Sequence, residues 1–344
     1  MQHRASMITP QQETTNDRAA DRKKAKDKLK AQMRIRKYGV RQYEATKRGQ
    51  LELLDDCQQR LEDLTAKYGL PVEDFSLSHD HPARAWLQEV YQHWSANIEA
   101  DSSKQERNEQ ARVLLGNMHK GTQQLDMFDN RDALLGYTRH KFSERALLAV
   151  YSCVRLEGLW SLDGVRSVCS IGCGPGCDAV GALAYARSIG QRLERIVFLD
   201  WAMPQWKDLM TPIEDFVQRE EPEIRLDMAS ANVRLSLDHE ENMEAREMIL
   251  GSSGSCDIDL FLASYLLSET RGDWPRFFDT LWQKAEPGAL FLLSDPTAWQ
   301  LHQFIDRYPD CDVRWVDSSR DHPDLQALDN RVGPATVFVR KRRE

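Results

Sequence analysis

The spacing of apolar positions changes near residue 160. Before that point they recur every three or four residues. Leu51, Leu54, Leu61, Leu64 and Tyr68 share one face of an expected helix, which Gly69-Leu70-Pro71 ends. Residues 81–100 repeat the pattern with Trp86, Leu87, Val90, Tyr91, Trp94 and Ile98, and residues 143–159 with Ala146, Leu147, Val150, Tyr151 and Val154. The polar stretch 101–109 reads as a connection or an exposed helix start. Beyond residue 160, short apolar runs at 165–171, 195–199, 224–228, 258–263 and 289–294 alternate with helical stretches at 179–189, 206–219, 240–250 and 274–285. Short runs at 313–316 and 336–339 follow. Strands separated by helices of this size need crossover connections, so the expected class is α/β, a mostly parallel sheet with flanking helices.

Charge divides the 344 residues differently. The net charge is −8, but residues 1–48 carry +9 and the rest −17. Residues 1–17 are polar without periodicity and read as a disordered leader. Residues 18–68 lack proline and are rich in good helix formers, giving a long basic helix with a short coiled coil as its expected partner-binding portion. Residues 69–129 read as a helical linker region and 130–344 as the α/β domain. No apolar run approaches the ~20 residues of a membrane-spanning helix, so no membrane partner is expected. Seven scattered cysteines argue against a disulfide framework and for an intracellular setting, nucleus or cytoplasm.

The stretch Ser170-Ile-Gly172-Cys-Gly174-Pro-Gly176-Cys-Asp178 joins the first strand of the alternating region to a helix. Glycines there let the chain turn sharply and let a ligand approach the backbone, and the helix aims its N–H groups back at the loop. The spacing is tighter than a dinucleotide fingerprint. It resembles motif I of class I S-adenosylmethionine-dependent methyltransferases, which have a Rossmann-like fold. Three further segments are similar to that family in its order: residues 196–200 ending in Asp200, residues 256–264 ending in Ser264, and Glu286-Pro-Gly before the run to Ser294.

The resemblance implies S-adenosylmethionine as cofactor and methyl transfer to an unknown acceptor. Gly172, Gly174 and Gly176 would cradle the methionine part and Asp200 would hold the ribose hydroxyls. Ser170 stands where the family usually has an acid near the amino group, with Asp178 as a substitute, and Ser264 completes the expected cofactor contacts. An adenine contact would fall at Asp227 or Ala229. No catalytic base is identified. Tyr265 and Glu269 stand equally for substrate contacts or for packing and capping residues. Tyr137, Arg139 and Phe142 are expected site neighbours or ordinary helix surface. Cys173 with Cys177, and His79 with His81, are lone pairs that make no metal site.

Residues 18–48 hold Arg22-Lys-Lys-Ala-Lys-Asp-Lys-Leu-Lys30 and Arg34-Ile-Arg-Lys37, charge suited to phosphate contacts. A basic helix running into leucines weakly resembles a basic-region leucine zipper, with Lys28 and Arg36 at that family's base-contacting places. This implies nucleic-acid binding through 18–48 and a homodimer through 40–68. The alternatives to an enzyme are therefore a DNA-binding regulator carrying a methyltransferase-like domain, or a non-catalytic RNA- or ribosome-associated scaffold.

Overall fold

The computed structural model describes residues 81–98, 102–156, 160–251, 254–296, 298–316 and 335–342. The leader, the basic helix, the zipper-like dimer segment and the His79 turn lie outside the described residues. Residues 80–344 form one compact unit.

Its centre is a seven-stranded sheet: β1 (Ser167–Ile171), β2 (Arg195–Asp200), β3 (Arg225–Ser230), β4 (Leu260–Ser264), β5 (Leu290–Asp295), β6 (Cys311–Trp315) and β7 (Ala335–Lys341). The order is β3-β2-β1-β4-β5-β7-β6. The first five in that order run parallel, and β7 is antiparallel to both β5 and β6. β1, β4 and β5 read as near-continuous apolar runs because both faces are covered, as crossover helices require. Side chains alternate between faces. Cys169, Ile171, Val197, Leu199, Phe261, Ala263, Phe291 and Leu293 enter one core. The α/β expectation therefore describes the architecture.

That core is closed by α6 (Met243–Leu250), α8 (Pro275–Lys284) and α9 (Ala298–Arg307). Phe277, Phe278, Trp282, Phe291 and Phe304 pack there ring against ring, with Phe278 and Phe304 centroids 5.4 Å apart. α9 is an element that the apolar pattern does not predict, and it buries Leu301 and Phe304 fully. On the other face lie α4 (Cys177–Ser188) and α5 (Met203–Glu220), with α3 (Arg131–Leu156) and α1 (Pro82–Ala96) outside them.

The helices α1 and α2 (Lys104–Lys120) fall in the region expected as a linker, and both pack on the sheet unit. The Trp94 indole donates to the Leu209 carbonyl at 2.8 Å, fixing α1 to α5. Of the two expectations for the polar stretch, a connection or an exposed helix start, the second describes it: residues 104–109 open α2. Ser103 and Glu106 close a reciprocal capping box there, with the Glu106 N–H donating to Ser103 Oγ at 3.3 Å. A five-residue 3-10 turn, Leu125–Asp129, joins α2 to α3.

Helix α3 approaches α4 so closely that a Cβ at Gly181 would lie 2.3 Å from the Ala146 carbonyl oxygen. At Gly116, within α2, an added Cβ meets nothing within 4 Å. Gly181→Ala is therefore expected to lower stability by roughly 1–3 kcal/mol through forced backbone separation. Gly116→Ala is expected to raise it by about 0.5–1 kcal/mol through helix propensity. Thermal melts of the two variants check the pair.

Candidate functional site

The strand order reverses between β1 and β4, so crossovers leave on opposite faces and a crevice opens beyond the carboxyl ends of the strands. The glycine loop follows β1 into this crevice. The N–H groups of Gly172 and Cys173 both donate to the Leu199 carbonyl of β2, at 2.7 and 3.0 Å, strapping the loop to its neighbour. Gly172, Gly174 and Gly176 have φ of 66°, 51° and 77°, the left-handed region that disfavours side chains.

The three glycines then differ in what they face. A Cβ at Gly176 would press on the Phe198 ring at 2.8 Å, so Gly176 serves helix–sheet packing at the start of α4. A Cβ at Gly172 would meet Leu266 at 2.8 Å. At Gly174 it would find only ordinary contacts, the nearest to Trp206 at 3.7 Å. Gly172 and Gly174 line a cavity that is partly open to solvent, and Gly176 does not.

Asp200 ends β2 at the mouth of the loop. Its Oδ2 accepts the Gly174 N–H and its Oδ1 accepts the Ala202 N–H, both at 2.8 Å. A carboxylate has about four lone-pair sites, so two remain for a ligand, enough for a vicinal diol. Burial raises the Asp200 pKa, and the two backbone donors oppose that rise. The Trp206 indole N–H lies near enough to favour the charged form, yet it completes no hydrogen bond. Asp200 is half-buried and lines the cavity.

Ser170 and Asp178 sit beneath the loop and do not line the cavity. The Ser170 hydroxyl donates to Asp178 Oδ1 at 2.9 Å, and both side chains are buried. Burial raises the Asp178 pKa, while Ser170, Arg145 and Ser264 pull it back. The Asp178 carboxyl of α4 thus sits against the Ser170 hydroxyl, behind the cavity lining. Ser264, at the end of β4, lines the cavity and links this pair to it.

The wall opposite Asp200 comes from a turn after β4. Tyr265 takes φ 66°, a strained conformation for a residue with a Cβ, and its N–H donates to the Ser294 carbonyl at 2.6 Å. The turn α7 (Leu266–Glu269) follows, and Asp295 Oδ2 accepts the Ser268 N–H at 3.0 Å. The Arg145 guanidinium stacks 3.3 Å from the Tyr265 ring centroid. This arrangement turns Glu269 into the cavity, whereas Tyr265 packs under it.

Sequence reasoning missed much of the lining. Trp201, Trp206, Phe128, Met118 and Gln123 face the cavity, together with Ala231, Asn232, Val233 and Arg234 after β3. Trp201 and Trp206 had a signal, since they directly follow the acid that ends β2. Met118, Gln123 and Phe128 had none, because only the tertiary fold brings the upstream helices over the crevice. Of Tyr137, Arg139 and Phe142, Tyr137 alone lines the cavity; its ring lies 5.6 Å from that of Trp206.

Asp227 and Ala229 do not line it. Asp227 lies at the sheet's other end, paired with Arg195 at 2.7 Å and Arg225 at 2.9 Å, and Ala229 is core. Residues 231–234, in the loop after β3, line the cavity instead. Buried Asn242 holds that loop by accepting the Asn232 N–H at 2.7 Å and donating to the Asn232 carbonyl at 3.0 Å. Cys173 and Cys177 are buried thiols with pKa values pushed up by burial. Among the described residues no group of three or more His, Cys, Asp or Glu could hold a metal ion.

The chain matches no protein-family model and no curated protein. Among solved structures it is similar to the plantazolicin methyltransferase BpumL in complex with SAH, at 10% identity over 75% of this chain and 100% of that chain, TM-score 0.40. It is also similar to the CMeT domain of the citrinin polyketide synthase, at 12% identity over 84% and 70%, TM-score 0.39. A third is a SAM-dependent O-methyltransferase from Thermotoga maritima, at 12% identity over 59% and 66%, TM-score 0.33.

Glu269 has the most altered carboxyl in the cavity. Burial lifts its pKa from 4.5 to about 8, with Arg145 opposing and Asp200 and Asp295 adding to the rise. The native state thus holds a proton that the unfolded chain releases near 4.5, and stability falls as pH rises from about 4.5 to 8. Glu269→Gln removes this penalty. Its melting temperature relative to the unmodified protein is expected to be higher at pH 8 than at pH 5, by the equivalent of a few kcal/mol at most.

Proposed function

We propose that this domain binds S-adenosylmethionine and transfers its methyl group to an acceptor. The observation that carries this reading is the joining of Gly174 to Asp200 across the mouth of a cavity at the switch point of the sheet. The loop leaves room beside its backbone, the carboxylate keeps two acceptor sites for a ribose diol, and the Trp206 N–H and Gln123 Oε1 stand buried without partners in the cavity wall. Such atoms suit a polar ligand held among aromatic rings. The motif I resemblance supports the same ligand.

In this reading Gly172 and Gly174 hold the methionine part. Asp200 holds the ribose, and residues 231–234 take the base side with Trp201. Asp178 supplies the negative charge beneath the loop through Ser170. When bound, the donor supplies a methyl group already activated by sulfonium charge. The chain's task is then alignment and exclusion of water, which orients two reactants without a covalent step on the protein. Phe128, Tyr137 and Trp206 form the dry wall.

Calorimetry of the full chain with S-adenosylmethionine and S-adenosylhomocysteine tests this. Both are expected to bind at one site. Asp200→Ala should weaken binding about tenfold or more, the loss of hydrogen bonds to a charged acceptor, and Gly174→Arg should abolish it. Absent binding, or variants identical to the parent protein, would remove the reading.

For the N-terminal segment we propose a separate role on charge alone: residues 18–48 bind a nucleic acid through its phosphates. Duplex binding is expected to weaken steeply with salt and to disappear on deletion of residues 1–48. Salt-independent binding would exclude this role.

A further inference from the structure

The cavity carries an imbalance of charge. Asp200 and Glu269 line it from opposite walls, and Arg234 is the one cationic side chain among its lining residues. Arg234 is engaged: its Nη2 donates to the Glu269 carbonyl oxygen at 3.5 Å, and its guanidinium stands 5.5 Å from the Trp201 ring centroid. The cations behind Glu269 are engaged too. Arg145 of α3 stacks on Tyr265, and Lys141 of α3 pairs with Glu144 at 2.8 Å. Asp295 of β5 faces the same turn and adds negative charge, and the Tyr137 and Tyr265 phenols are neutral with raised pKa values. Trp206, 1% exposed, turns an unpartnered indole N–H to this cavity.

We propose that Glu269 matches the charge of the methyl donor: its carboxyl releases a proton when a sulfonium enters the cavity and keeps it when the uncharged thioether does. Binding then discriminates between the donor and its spent product. The inference rests on the reading of the cavity as a methyl-donor site. The physical reason is that a carboxyl held neutral by burial and by two neighbouring carboxylates loses that restraint once a fixed positive charge shares the cavity. The carboxyl is mostly protonated at pH 7, its pKa being about 8 in the empty cavity. Linkage makes the effect reciprocal, so the donor binds more tightly as pH rises and the product does not.

The test is calorimetric titration of the full chain at pH 7 in two buffers of contrasting ionisation enthalpy, with S-adenosylmethionine and S-adenosylhomocysteine as probes. The sulfonium lowers the pKa of the donor's own ammonium, a contribution shared by the parent protein and Glu269→Gln, so the Glu269 proton is read as the difference between those two proteins. On binding the parent protein, the donor is expected to release more than about half a proton beyond the product, over and above the same difference in Glu269→Gln. Its affinity relative to the product should rise about tenfold more between pH 6 and pH 8 in the parent protein than in Glu269→Gln. Affinity of Glu269→Gln for S-adenosylhomocysteine should stay within about threefold of the parent protein's and show the site intact. A donor-minus-product proton count that is the same in the two proteins overturns the proposal. Binding of neither ligand overturns the donor-site reading beneath it.

Discussion

Two backbone N–H groups converge on the Asp200 carboxylate, one from the glycine loop after β1 and one from the turn after β2. These bonds, with the Leu199 carbonyl accepting from Gly172 and Cys173, make one rigid rim from two chain segments 26 residues apart. The bonds from the glycine loop depend on a backbone in the left-handed region at three positions, which is why glycines occupy them. The rim defines where the cavity lies. The opposite wall is held by its own strain, with Tyr265 at φ 66° and pinned by Ser294, Ser268 and Asp295. Strain of this sort persists where the surroundings over-determine it, and here it sets the direction of Glu269.

Around these walls, charge is arranged unevenly. Asp200, Asp178, Glu269 and Asp295 cluster at the carboxyl ends of the strands, and burial raises the pKa of the first three. The basic residues near them are turned to other tasks, Arg145 to an aromatic face and Arg234 to a backbone carbonyl. A site of this kind attracts a cation more than an anion. That fits a donor whose reacting atom carries positive charge and whose product does not.

Most of the α/β fold was legible because its signal is local. Fully covered parallel strands read as apolar runs, and each expected strand from 165 onward appears within a few residues of its place. The glycine loop and Asp200 were legible for the same reason: one turn and one strand end carry them. Gly176 was read as a ligand contact, but its conformation and its packing on Phe198 account for it. The roof of the site was not legible. Met118 lies in the last turn of α2, and Gln123 and Phe128 lie in the connection to α3, a region that reads as a linker; only packing of α2 on α3 brings them over the crevice. Tyr265 and Glu269 looked interchangeable in sequence. The backbone at Tyr265 separates them, placing one ring under the turn and one carboxyl in the cavity.

On the proposed function, the rim built by Gly174 and Asp200 holds a ribose. A crystal structure of the full chain with S-adenosylhomocysteine tests it most directly. The account expects the ligand in the cavity between β1 and β4, with both ribose hydroxyls donating to the Asp200 carboxylate and the Gly174 N–H bond retained. Ligand density elsewhere, or a ribose turned away from Asp200, would contradict it.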